Sequence, residues 1–267
     1  MYQNFECKFH GRIFLRIFLT AIFICAIFTE NGYAATRFPT AEISQNFADF
    51  HREDLNLYAK SAVLTDADTG RILYGKDAGT PMANASTTKI MTCLLAIESG
   101  KIQDTVAFSE HACSMPKVRL GCPTGTQFVL EDLLYSLMLE SHNDTAAAIA
   151  EHVAGSVEAF ADLMNERAAE FGCQNTHFVT PNGLDRSDKK GEHQTTAYDL
   201  SLIMAACIQN DKFLEITETA SKTISSIDGT FQAALNNHNA LLSMLDGVIS
   251  GKTGFTAKAG YCYVGAY

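Results

Sequence analysis

The feature that most narrows what this chain can fold into is the placement of its two periodicities: β-prone runs lie near both ends, and helical spacing fills the middle. Ala62-Val63-Leu64 and Arg71-Ile72-Leu73-Tyr74 are short β-prone runs joined by Asp66-Ala67-Asp68-Thr69-Gly70, a hairpin signature. At the other end, 251–256 and 261–267 flank the turn Ala257-Lys258-Ala259-Gly260. Between them the spacing predicts helices. Ile90, Met91, Leu94 and Leu95 form an apolar stripe over 86–97, and Leu133, Leu134, Leu137 and Met138 form another over 130–139. An alanine-rich helix is expected over 144–153, and one over 156–171 closing on Gly172 as a left-handed stop. Thr196-Ala197-Tyr198-Asp199 reads as a capping box for a helix to about 208. Strand signals are read only at the ends. The expected fold is therefore α+β, an antiparallel sheet formed by the N- and C-terminal strands with a helical region between. No repeat or linker divides it, and the folded domain is placed at 61–267.

The first 34 residues are expected to be an export signal rather than part of that fold. Lys8, Arg12 and Arg16 make a basic lead, 17–28 is an almost uninterrupted apolar run, and Gly32-Tyr33-Ala34 offers a small-residue cleavage site after Ala34. The run stops at Thr29-Glu30, short of the roughly 20 residues a membrane span needs. Residues 35–60 read as a polar lead-in. Removing the signal moves the net charge from −10 to about −11. An acidic surface with no basic run interleaved with aromatics argues against nucleic acid as a partner. Cys7 and Cys25 leave with the signal, and the six that remain are scattered through a large domain, which weakens a disulfide-framework reading of the eight cysteines. Cys93 and Cys207 sit in apolar helical patterns, while Cys113 and Cys122 flank a short polar loop and could pair in an oxidising compartment.

The candidate chemistry starts at Ser86-Thr87-Thr88-Lys89. A serine hydroxyl needs a base within hydrogen-bond reach to act as a nucleophile. Residues three apart share a helix face, so Lys89 can be that base if its pKa is depressed by burial, the helix dipole and a second cation, for which Lys252 is the candidate. Ser-x-x-Lys alone is weak, because ordinary composition gives roughly one chance match in a chain this long. Ser114-Met115-Pro116-Lys117 and Ser187-Asp188-Lys189-Lys190 also fit, but neither opens a strong helix, and Ser86 does. Two further motifs follow in order. Ser141-His142-Asn143 lies between two helices, where alternate residues can point into a cleft, although helix capping is an equally good account of it in isolation. Lys252-Thr253-Gly254 falls on a strand and offers a charge for a carboxylate, a hydroxyl, and room for a substrate backbone. Asp68-Thr69-Gly70 matches the aspartic protease tripeptide, but no second copy exists to share a proton, so it reads as a turn.

With these three motifs in order, the sequence resembles the penicillin-binding serine DD-peptidases and their β-lactamase relatives, and most closely the low-molecular-mass D-alanyl-D-alanine carboxypeptidases. Ser136-Leu137-Met138-Leu139-Glu140-Ser141-His142-Asn143-Asp144, Thr180-Pro181-Asn182-Gly183-Leu184-Asp185 and the run from Lys252 to Tyr261 are similar to that family's phrases. The resemblance implies that Ser86 attacks the carbonyl between the last two D-alanines of a peptidoglycan stem peptide and that Lys89 takes its proton. It implies that Ser141 relays a proton to the leaving D-alanine and that Asn143 orients the substrate and Lys89. It further implies that Lys252 and Thr253 hold the terminal carboxylate, with Gly254 beside them, and that the N–H groups of Ser86 and Phe255 form an oxyanion hole. β-Lactam antibiotics are then expected inhibitors.

The same resemblance frames the rivals. A class A β-lactamase would carry a glutamate in a Glu-x-x-Leu-Asn phrase between the second and third motifs, which is absent, and His142 stands where those enzymes usually carry aspartate. A DD-endopeptidase of crosslinks is a nearer relative. An inactive peptidoglycan-binding module is opposed by the intact Ser86, Lys89 and Lys252. No cofactor or metal is implied; a zinc peptidase is disfavoured because no histidine pair has i, i+4 spacing. The family's sheet takes its last strand from a segment after the final hairpin, and many relatives add a C-terminal membrane attachment. On this resemblance the 267 residues are expected to be part of a longer protein and to fold poorly alone.

Overall fold

The computed structural model describes residues 55–267, which belong to one compact unit. The export signal and most of the lead-in lie outside the described residues. β1 (Ala62–Thr65) and β2 (Ile72–Lys76) form the expected N-terminal hairpin, pairing Ala62 with Lys76 through Leu64 with Tyr74. Its turn is made by Asp66, whose carboxylate accepts from the Thr69 N–H at 2.9 Å and the Thr69 hydroxyl at 2.7 Å. The Asp68-Thr69-Gly70 tripeptide is thus a turn, with Gly70 at φ 69°.

The helical middle begins with a 3₁₀ turn, Ala85–Thr88, that runs into α1 (Lys89–Glu98). α1 is buried around most of its circumference, from Lys89 through Leu94 and at Ala96, because it runs through the centre of the domain. Next come β3 (Thr105–Ala107), α2 (Glu110–Cys113) and β4 (Gln127–Val129), with β3 antiparallel to β4. α3 (Leu130–Tyr135) continues into a π-helical turn, Ser136–Glu140, which ends at Ser141 in the left-handed region, φ 66°. α4 (Asn143–Ala154) buries Ala146, Ala147, Ala148 and Ala150, the close-packing face expected of it. α5 (Val157–Glu170) is capped by Ser156, whose hydroxyl accepts from the Ala159 N–H, and is followed by Gly172 at φ 86°. Thr196 caps α6 (Ala197–Cys207) by accepting from the Asp199 N–H at 2.9 Å.

After α7 (Asp211–Glu218) a third hairpin forms, β5 (Ser221–Ser225) with β6 (Gln232–Asn236). α8 (Leu241–Met244) leads to β7 (Ser250–Thr256) and β8 (Gly260–Ala266), paired in register from Ser250–Ala266 to Thr256–Gly260. The fold class is the α+β arrangement expected, but two details differ. Strands also occur in the middle, as β3–β4 and β5–β6. The end strands do not join into one sheet among the described residues: β1–β2 and β7–β8 are separate two-stranded ladders. Each packs on α6 instead, which buries Tyr198, Leu202 and Ala205 against Ile72 and Ala78. Cys93, Cys113, Cys122, Cys173, Cys207 and Cys262 are all free thiols, so the Cys113–Cys122 pair is not formed. The Cys113 Sγ instead contacts the Cys122 carbonyl at 3.5 Å.

Candidate active site

The turn carrying Ser86 is 3₁₀, not the α-helix expected. This strengthens the pairing, because side chains three apart eclipse one another in a 3₁₀ turn. The Lys89 Nζ lies 2.9 Å from the Ser86 Oγ. Ala85, fully buried at φ 49°, bends the chain into that turn, and Asn84 steadies it by donating to the hydroxyls of Thr87 at 3.2 Å and Thr88 at 2.8 Å. Ser86 is the only half-exposed residue between Ala85 and Lys89.

Lys89 is 0% exposed yet reaches three oxygens. Besides Ser86, its Nζ donates to Asn143 Oδ1 at 2.9 Å and to the Asn182 carbonyl at 2.7 Å. The Asn143 amide is fixed in that sense because its Nδ2 donates to the Pro116 carbonyl at 3.2 Å. Both of these oxygens can only accept. A neutral amine has two hydrogens and one lone pair, so the two carbonyl-type oxygens take the hydrogens and the lone pair is left facing the Ser86 hydroxyl. Burial first, and the Lys252 ammonium second, hold the Lys89 pKa well below the ordinary lysine range, while Asp144 pulls the other way. Two of the three effects expected from sequence, burial and Lys252, are those found.

The second motif divides by orientation. His142 is buried and turns to the π-helical turn, its Nδ1 2.8 Å from the Ser136 Oγ. Burial lowers its pKa, so it is a neutral structural neighbour. Among the described residues the buried Ser141 Oγ has no hydrogen-bond partner, and its residue is held at positive φ. A strained, unpartnered hydroxyl two residues from Asn143 is a group kept ready for something else. Asp144 anchors the opposite wall by accepting the N–H groups of Leu120 and Gly121, each at 2.9 Å, and the Val118 carbonyl accepts from the Asn143 N–H at 2.7 Å.

The third motif lies on β7, against the nucleophile turn. A Cβ on Gly254 would fall 2.8 Å from the Ser86 nitrogen and 3.0 Å from the Thr87 nitrogen. The space a Cβ would need at Gly254 is taken up by the turn itself. Lys252 is 2% exposed and its Nζ donates to the Thr253 carbonyl at 3.0 Å; no ion pair to it is found among the described residues. Burial pushes its pKa down to about 8. The unfolded state therefore holds a proton that the folded state releases between about pH 8 and 10.5, so this group makes stability rise with pH across that window. At pH 7 the buried charge costs on the order of 3 kcal/mol. Lys252→Met is expected to raise Tm at pH 7 by several degrees, flatten the rise between pH 8 and 10, and weaken anion binding; calorimetry across that pH range checks it.

The other two Ser-x-x-Lys matches are not sites. Lys117 is exposed, Ser114 donates to the His111 carbonyl, and Lys190 is exposed and pairs with Asp162 at 3.2 Å. The structure brings Ser86, Lys89 and Asn143 into direct contact and sets Lys252 close enough to act on Lys89. It adds the Asn182 carbonyl and Asp144, neither of which is among the candidate residues named from the sequence. A main-chain carbonyl has no residue-type signature, and only the buried Thr180-Pro181-Asn182-Gly183 phrase hinted at it.

Residues 48–266 match the Peptidase_S11 family, described as D-alanyl-D-alanine carboxypeptidase. The D-alanyl-D-alanine carboxypeptidase DacF of Bacillus subtilis is 37% identical over 210 residues, covering 76% of this chain and 52% of that protein. The chain thus spans about half the length of this curated relative. A D-alanyl-D-alanine endopeptidase of Pseudomonas aeruginosa is 32% identical over 212 residues, covering 78% and 66%. The solved structure of a D-alanyl-D-alanine carboxypeptidase from Mycobacterium tuberculosis superposes with a TM-score of 0.72 at 32% identity, covering 78% of this chain and 77% of the other.

Proposed function

Because the chain belongs to the Peptidase S11 family of D-alanyl-D-alanine carboxypeptidases, we propose that it removes the terminal D-alanine from peptidoglycan stem peptides through an acyl-enzyme on Ser86. The observation that carries the reading is the Lys89 amine: buried, donating to the Asn143 and Asn182 oxygens, and 2.9 Å from the Ser86 hydroxyl. Ser86 attacks the carbonyl between the last two D-alanines as its proton passes to Lys89. The Ser86 and Phe255 N–H groups take the developing negative oxygen. The free Ser141 hydroxyl relays a proton to the departing D-alanine nitrogen, and Asn143 keeps Lys89 and the substrate amide aligned. Lys252, a buried cation with no carboxylate paired to it among the described residues, receives the terminal carboxylate together with Thr253. Water then hydrolyses the ester. A β-lactam is expected to enter the same first step and stay attached, which would make the protein a penicillin target.

This chemistry belongs outside the cytoplasm, consistent with cleavage after Ala34 and a catalytic domain at 61–267. Attachment to the membrane through a further C-terminal segment is part of the proposal; among the described residues no helix is long and apolar enough to cross one.

The test is incubation with a penicillin followed by intact mass on the wild type and Ser86→Ala. A stable adduct on the wild type, lost in the variant, is expected; rapid penicillin turnover without an adduct would mark a β-lactamase and overturn it. The Pseudomonas relative makes crosslink cleavage a second reading. Release of free D-alanine from a pentapeptide, without separation of crosslinked dimers, decides for the carboxypeptidase.

A further inference from the structure

We propose that His193 is a positioning residue: its imidazole pins the loop that presents the Asn182 carbonyl to the turn that carries Ser86, and so fixes Lys89 from both sides. The proposal deepens the acyl-enzyme reading and rests on it for one of its two readouts. His193 is 2% exposed, and both its ring nitrogens are occupied within the protein. Nδ1 faces the N–H groups of Val179 at 3.0 Å and Thr180 at 3.3 Å. A nitrogen facing two donors carries no hydrogen, so the ring hydrogen is on Nε2 and is donated to the Thr88 Oγ1, 2.8 Å away. Burial, then His177 and Lys89, push the His193 pKa down to about 3, so the ring is neutral throughout the working range and takes no part in proton transfer.

What the two ends of this link hold is the base. On one side Thr88 adjoins Lys89 and also accepts from Asn84 at 2.8 Å. On the other, two residues past Thr180, the Asn182 carbonyl accepts from the Lys89 Nζ at 2.7 Å, and the Pro181 carbonyl accepts from the Thr92 hydroxyl at 2.6 Å. The loop is stiff between these points, because the Thr180 hydroxyl accepts from the Gly183 N–H at 3.2 Å and donates to the Leu184 carbonyl at 3.2 Å. One neutral ring therefore closes a circuit from the 3₁₀ turn through the loop to the Lys89 amine. An apolar side chain could fill the volume, but it would leave the Val179 and Thr180 N–H groups and the Thr88 hydroxyl without this partner. The titratable groups acting on the base are Lys252 and Asp144, and those acting on the ring are His177, whose Nε2 lies 2.9 Å from Asp188, and Lys89.

Releasing the pin lets the Asn182 carbonyl drift and water reach the amine. A less desolvated lysine keeps its proton to higher pH. The experiment compares the full-length wild type, His193→Leu and His193→Gln, the last able both to donate and to accept. The Lys89 midpoint is read from the carbon-13 shift of its ε-methylene in lysine-labelled protein, assigned by its loss in Lys89→Met. In His193→Leu that midpoint is expected to rise by about one unit, with partial return in His193→Gln, and penicillin acylation at pH 7 to fall about tenfold. A role confined to stability would lower Tm and leave the midpoint of the folded fraction in place. If His193→Leu does not fold, Thr88→Val breaks the same link at its other end and is expected to move the midpoint in the same direction. A folded His193→Leu, or in its stead Thr88→Val, with the wild-type midpoint overturns the proposal. Failure of the wild type to form a penicillin adduct would sink the acyl-enzyme reading, while the carbon-13 midpoint still decides this one.

Discussion

Lys89→Met is expected to slow acyl-enzyme formation about 10³-fold or more while leaving the protein folded, a loss within the range that removing a positioned general base produces. Ser86 would keep its place on the turn, but its proton would have no acceptor within reach. Among the described residues Lys89 supplies the amine that contacts the Ser86 Oγ, and Lys252 is turned to the Thr253 carbonyl. The pH dependence separates this base from a merely structural lysine. Since burial and Lys252 hold the Lys89 pKa below the ordinary range, wild-type acylation falls as pH drops through that lowered midpoint. The residual rate of Lys89→Met lacks that limb.

Stability follows the same proton. The folded pKa is depressed, so between it and the unfolded value near 10.5 the unfolded state binds more protons and stability rises with pH. The variant loses this rise. It also leaves Asn143 Oδ1 and the Asn182 carbonyl without the amine, costing about 1–3 kcal/mol for each buried oxygen left unsatisfied. An acylation rate in Lys89→Met within tenfold of wild type at pH 7, measured by stopped flow with a chromogenic penicillin, would remove Lys89 from its role.

How far this site could be seen in the sequence depends on the kind of information each part carries. Helix ends were legible where a side chain or a glycine makes the cap: Ser156 and Gly172 around α5, and Thr196 with Asp199 at α6. Hairpins at the two ends were legible because their runs are apolar and their turns are marked. The middle hairpins were not. β3 and β4 have three residues each, and β5 and β6 bury only Ile224 and Leu235, so neither presents enough alternation to rise above a polar loop. The Asp228-Gly229 turn between β5 and β6 is the one local hairpin signal there. The 3₁₀ and π-helical turns flanking the site are departures from 3.6-residue periodicity that an apolar stripe does not register. Side-chain chemistry at Ser86, Lys89, Asn143 and Lys252 was readable as residue type, whereas the Asn182 carbonyl and the His193 link exist only once distant segments meet.

That meeting is tightest at Gly183, and Gly183→Ala is expected to be the most damaging single-methyl change in the domain. Gly183 adopts φ 83°, where an L side chain is strained on its own account. The space is the greater obstacle. An added Cβ would sit 1.9 Å from the Ala85 carbonyl oxygen, 2.5 Å from its carbon and 2.9 Å from the Thr88 Oγ1. Two of these three atoms are backbone of the turn that carries Ser86, and no rotamer can move them aside. Either the Thr180-Pro181-Asn182 loop backs away, taking the Asn182 carbonyl from Lys89, or the 3₁₀ turn shifts and carries Ser86 with it. Both routes break the alignment of hydroxyl and lone pair, and a misplacement of about 1 Å is worth roughly 100-fold in rate. Strain and clash together are expected to cost more than about 4 kcal/mol, the upper tail of single substitutions. The measurement is paired: Tm by calorimetry and acylation by intact mass on whatever folded fraction survives. A Tm within a few degrees of wild type together with full acylation would show that the loop and the nucleophile turn are not in the contact described, and the circuit through His193 would fall with it.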